Sequence, residues 1–238
     1  MSRLLTLALV ETTRNPSKYA VAAYDIDRQS WVYFKGIPME EFLDGLGNPV
    51  WDIFSITEAD YIADTSDFRP GIANLAMDCR PTIISQVTTE EARLQWLEGI
   101  ADYNVRNIYD GPEYFGLIAV SNVTAICFRV NNKKSYQSAF TLERPFYWEA
   151  RLEFEDSTGE RWNLPCKDLR WKTYFWERVH VQNHDLEELY RRWLTFLNEG
   201  QTFFIVEIYP PMEKLPGVFG NRSGHYAAVS GIISIPSN

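Results

Sequence analysis

Tyr19-Ala-Val-Ala-Ala-Tyr-Asp-Ile-Asp-Arg-Gln-Ser-Trp-Val-Tyr-Phe-Lys35 decides the fold class. Two short runs rich in valine and aromatic residues flank a polar connection, which is the pattern of a β-hairpin. Working outward, residues 4–10 before it and 52–57 after it carry the same strand character. A loop zone lies between, punctuated by Pro38, Gly45, Gly47 and Pro49. Residues 60–81 are polar and show no period.

Two stretches read as helices. Thr88 and Glu91 have capping-box spacing, in which hydroxyl and carboxylate satisfy each other's amides, and Gly99 stands at the expected stop. Over residues 185–197, Leu186, Leu189, Tyr190, Trp193 and Leu197 recur at helical spacing, and Gly200 closes the run. Residues 102–112 read as a linker. Strand character resumes at 114–120, 124–130, 136–142 and 147–154. A hairpin turn at 155–160 leads to a return strand at 161–164, and the last strands lie at 201–209 and 226–235. Many short strands with turn signals predict a mainly β chain with a few helices, in two units over residues 1–110 and 111–238.

The chain has 238 residues, and 8 Trp, 13 Tyr and 14 Phe supply aromatics for a core. No apolar run nears the roughly 18–20 residues of a membrane-spanning helix, so no membrane partner is expected. The apolar opening at residues 4–10 is short and followed at once by Glu11, which predicts a strand rather than a signal peptide. Three distant cysteines, Cys79, Cys127 and Cys166, suit buried thiols in a reducing, cytoplasmic setting. The net charge of −9 is uneven: residues 1–120 hold 9 Lys/Arg against 18 Asp/Glu, and residues 121–238 hold 14 of each. Such a chain is not a general polyanion binder, because phosphate neutralisation by Lys and Arg supplies most non-specific affinity. A local basic groove remains compatible with that balance.

Four passages and a terminal strand resemble the prokaryotic dual-OB domain family, tandem oligonucleotide-binding-type barrels of defence and conflict loci. Thr12-Thr-Arg-Asn-Pro-Ser-Lys18 with the hairpin quoted above is similar to the family's first hairpin, and Trp51-Asp-Ile-Phe54 to its next strand. Residues 80–100, with Gln86 and Trp96, resemble the segment closing the first barrel. Residues 149–154 and Gly159-Glu-Arg-Trp-Asn-Leu-Pro-Cys-Lys-Asp168 resemble the second-barrel hairpin and its exit, and Ser230-Gly-Ile-Ile-Ser234 the last strand. Where the family often has Cys and Gly in the first hairpin, this chain has Tyr19, Val21 and Ala22. The resemblance implies tandem OB-like barrels and ligand recognition.

No nucleophile elbow, SxxK or phosphate-loop motif occurs, and His180, His184 and His225 do not form a triad pattern. No enzyme activity, cofactor or metal is therefore expected. His180 and His184 stand four apart, but Asp185 beside them points to a helix start. The suggestive stretch is Lys167-Asp-Leu-Arg-Trp-Lys-Thr-Tyr174, where Lys167, Arg170 and Lys172 interleave with Trp171 and Tyr174. Single-stranded binders pair cations for the backbone with rings for base stacking. Lys133, Lys134 and Tyr136 form a second such loop, and Arg14, Lys18 and Trp31 come third. The other reading of the cluster is a short helix plugging a barrel, with Trp171 and Tyr174 in the core. The expected partner is single-stranded nucleic acid or a nucleotide ligand. The alternative is a larger basic effector or nuclease docked on the acidic first half.

Overall fold

The computed structural model describes residues 1–12, 17–44, 46–67, 69–102, 104–111, 114–130, 148–209 and 226–236. The chain is mainly β, in two sheets. In the first, β1 (Ser2–Glu11), β2 (Lys18–Asp25) and β3 (Ser30–Pro38) form an antiparallel meander in which Ala22 faces Ala8 on one side and Tyr33 on the other. The hairpin turns on the buried Asp25 carboxylate, whose Oδ1 accepts from the amides of Asp27 and Arg28, each at 2.9 Å. This is the local bonding that makes aspartate a turn residue.

β4 (Ser55–Ala59) pairs antiparallel with β1, and β6 (Ile72–Leu75) runs parallel to β3. β5 (Tyr61–Ala63) follows β4 after Asp60 alone and pairs with β6. One bent stretch therefore reaches both the first strand and the last, and the sheet curls into a half-barrel. β7 (Thr82–Gln86) adds to β4 on the outside. The predicted strand at 52–57 is displaced, because Ser55 N and Oγ both return to the Asp52 carbonyl, at 3.0 and 2.6 Å, and Phe54 adopts φ 64°. Residues 60–81, expected to be irregular, contain β5 and β6.

α1 (Glu90–Ile100) starts one residue later than its cap predicted. Thr89, not Thr88, accepts from the Ala92 amide at 3.3 Å. It also runs through Gly99 and passes directly into β8 (Ala101–Asp102). The expected linker contains a six-residue helix, α2 (Val105–Asp110), capped by Asn104 and burying Val105 and Ile108. Ile108 packs on Gly116, where an added Cβ would stand 2.5 Å from it.

β9 (Phe115–Val130) is one 16-residue strand rather than the two expected. Its first part pairs with β12 (Gln201–Tyr209), the rest with β10 (Trp148–Asp156) across two register shifts. β10 turns into β11 (Arg161–Cys166), β11 runs parallel to β13 (Tyr226–Ile235), and β13 pairs with β12. The ring β9–β10–β11–β13–β12 is closed. α3 (Leu169–Trp176) and α4 (Leu186–Glu199) connect its third and fourth strands. With its helical connection there, the ring has the five-stranded Greek-key arrangement of an OB barrel. The first sheet repeats that order with β4–β5 as its fourth strand. The expected strand at 136–142 lies outside the described residues.

The two units press together on small residues. A Cβ at Gly231 would meet Ala8 Cβ at 2.6 Å, and Tyr33 stacks on Phe115 at 4.8 Å between ring centres. Phe115, Leu117, Phe203, Ile205, Ile233 and Ile235 join the first core, whereas Phe128, Phe154, Trp171, Phe175 and Phe204 fill the second.

Candidate functional site

Asp168 leads into α3 and is 1% exposed. Its Oδ1 accepts from the Trp171 amide at 3.0 Å, and its Oδ2 from the Ile232 amide at 2.9 Å. One side chain thus starts the helix and fastens it to β13. Helical spacing then turns Trp171 and Phe175 inward together. Phe175 stacks on Phe128 at 5.0 Å and Trp171 lies 4.8 Å from Phe175. Trp171 is 3% exposed, so its faces are covered by protein. α3 is the barrel plug of the second reading.

Lys172, next along the helix, points to the first barrel and forms a buried ion pair with Glu11 at the end of β1. Burial raises the Glu11 pKa, against the pull of Lys172 and then Lys167. Lys167 Nζ donates to the Tyr209 hydroxyl. Burial lowers the Lys167 pKa, and Glu207 and Glu11 oppose that shift. Glu207 accepts from Ser230 Oγ at 3.0 Å and pairs with Arg69 Nη1 at 2.9 Å. Arg69 also holds Asp67 at 3.0 Å, and Asp67 shares Lys35, at 3.1 Å, with Asp64. Burial works against the Asp67 charge, but hydrogen bonds from the Arg69 side chain and amide and from Lys35 outweigh it. The Asp67 carboxyl is held well below the usual carboxylate range. These charges line the junction of the barrels.

The basic–aromatic cluster is therefore not one surface. Trp171 and Lys172 are buried, and Lys167 is half-buried against Tyr209. Arg170 is 41% exposed, with Nη2 at 3.4 Å from Asp168. Tyr174 is half-buried, edge-on to Trp193 and under the Arg178 guanidinium. Lys18 is exposed at the start of β2, and Trp31 is buried against Tyr24. Arg14, Lys133, Lys134 and Tyr136 lie outside the described residues. Of the junction, sequence reasoning missed Glu11, Arg69 and Glu207. The signal was there for two of them: a lone acid in or ending an apolar strand, as in Phe203-Phe-Ile-Val-Glu-Ile-Tyr209, requires a buried partner.

OB barrels bind oligonucleotides on their second and third strands and on the loops joining strands one to two and four to five. In the second barrel those strands are β10 and β11. Their partly or fully exposed side chains are mostly acidic or already paired: Arg161 to Glu155 at 2.7 Å, Arg151 to Asn163 at 2.6 Å. The connections concerned span residues 131–147, which include Lys133, Lys134 and Tyr136, and 210–225, and both lie outside the described residues. In the first barrel, β3 and the loop carrying Arg69 are turned to the second barrel through Tyr33–Phe115 and Arg69–Glu207.

Among the described residues no three His, Cys, Asp or Glu side chains are placed to hold a metal ion, and no helix is long and apolar enough to cross a membrane. No family model matches the chain, and no curated protein matches it.

Proposed function

We propose that this chain is a non-enzymatic recognition module whose second barrel takes single-stranded nucleic acid or a nucleotide-like ligand, acting in the cytoplasm as part of a prokaryotic defence-type system. The observation carrying this reading is the OB strand order of the closed ring, in which Lys133, Lys134 and Tyr136 fall in sequence between its first and second strands. Arg170 and the first-barrel pair Arg14 and Lys18 add cations. Trp171 is left to the core, so stacking falls to Tyr136. Fluorescence titration with short single strands at low salt tests the reading. Lys133→Ala/Lys134→Ala should weaken binding to every sequence and lower the salt slope by about 2, one for each phosphate that is no longer neutralised. No binding by the wild type at low salt sinks it.

A specific surface favours a protein partner as the second reading. Met39, Leu43 and Leu46 are exposed in the acidic stretch holding Glu40, Glu41 and Asp44. A basic effector or nuclease would meet both apolar and charged groups there. Capture of a partner that survives nuclease treatment and fails with Leu43→Asp/Leu46→Asp separates this reading from the first.

A further inference from the structure

A cleft of about 230 Å³ opens where the β2–β3 hairpin and the β5–β6 connection meet the start of β9. Trp31, Pro70 and Phe115 supply apolar walls. Gly71, at φ +83°, carries the chain so close to Trp31 that an added Cβ would stand 2.8 Å from the Trp31 carbonyl oxygen. At the mouth the Arg28 guanidinium lies 4.8 Å over the Tyr61 ring, and its side chain is 60% exposed. The nearest carboxylate, Asp25, is bonded elsewhere: it accepts from the Tyr61 hydroxyl at 2.6 Å and from two backbone amides. One of those amides is Arg28's own, and the carboxylate stands 3.8 Å from the Arg28 guanidinium, at Nε. Among the described residues this planar, fork-shaped cation borders an apolar slot with one carboxylate near it, at 3.8 Å, and none within hydrogen-bond distance.

We propose that this cleft binds one aromatic ring system bearing an anionic group, of the class of a nucleoside monophosphate, with the ring in the slot and the anion on Arg28. The volume is below the roughly 300–1,000 Å³ of drug-sized sites, which selects one ring system over an oligomer. Guanidinium suits phosphate, which it contacts through two parallel N–H donors. The described residues lining the cleft all lie outside 131–147 and 210–225, so the proposal is tested separately from the oligonucleotide reading.

Calorimetric titration of the full chain with adenosine monophosphate, adenosine and inorganic phosphate is the test. The monophosphate should bind, adenosine about tenfold more weakly, as expected for losing one charged hydrogen-bonding partner, and phosphate not measurably. Arg28→Ala should reduce the monophosphate to the affinity of adenosine and leave adenosine unchanged. Ala63→Phe, at an exposed wall position, should abolish both while the melting temperature holds. Absence of monophosphate binding at millimolar concentration overturns the proposal. So does binding that neither variant changes, or phosphate alone binding as tightly as the monophosphate. Loss of oligonucleotide binding in Lys133→Ala/Lys134→Ala with the monophosphate retained would support two separate sites, whereas loss of both ligands in that variant would overturn the cleft as a site of its own.

Discussion

Replacing Lys172 by Ala asks whether this lysine serves a ligand or the junction between the barrels. Its ammonium pairs with Glu11, and both side chains are about 5% exposed or less. Removing one partner of a buried pair leaves an uncompensated charge, at about 3–5 kcal/mol. A chain of this length has an unfolding entropy near 0.5 kcal/mol/K, so the melting temperature should fall by about 6–10 °C. Glu11→Leu/Lys172→Met removes both charges and should lie within about 1 kcal/mol of wild type, or above it. The defect should also depend on pH. Burial already raises the Glu11 pKa, and deleting Lys172 removes the main opposing influence. A carboxyl whose folded pKa lies above its unfolded value favours folding in acid and loses that contribution as pH rises from the unfolded pKa through the folded one. The gap to wild type should therefore widen from pH 5 to pH 8. Urea titrations followed by tryptophan fluorescence at several pH values measure the stability differences, and thermal melts measure the shift in melting temperature. A Lys172→Ala protein with wild-type stability but weakened nucleic-acid binding would refute the assignment and return Lys172 to a binding surface.

Asp168→Ala should cost about 2–4 kcal/mol in denaturant melts, through a lost helix cap and an orphaned Ile232 amide. Gly231→Ala should destabilise by about 1–3 kcal/mol by overpacking against Ala8, and Ala8→Gly in the same chain should restore part of it. Asp67 has a depressed pKa, so its contribution is present above the unfolded pKa and lost as pH falls through the folded one. Asp67→Asn should accordingly flatten the acid limb of stability below about pH 4, read from melting temperatures at pH 2–5.

Elements with a strong local signal were legible. The hairpin around Asp25 and the helix from Leu186 carry their period in consecutive residues, and the structure has both. Long-range constraints decided the rest. Residues 115–130 read as two strands because their bend coincides with a change of pairing partner, which no window along the chain reveals. The α2 stretch looked polar because only Val105 and Ile108 face inward. The cluster at 167–174 was composed like a nucleic-acid platform, yet composition does not say which way a helix is turned. Asp168, bonded to β13 64 positions later, sets that rotation and sends Trp171 inward. The order of the barrel strands came only through resemblance, since hydrophobic runs do not encode who pairs with whom.

β1 ends on partners that the ribosome makes much later. Glu11 donates its amide to the Lys167 carbonyl and pairs with Lys172, 161 residues further on. At about 5–20 residues per second of synthesis, that leaves the strand end waiting roughly 8–32 s. For that interval Ala8 lacks Gly231 beside it and Val10 lacks its bridge to Asp168. β1 is thus made well before its end can be completed, and its last residue is fixed only when α3 has been made.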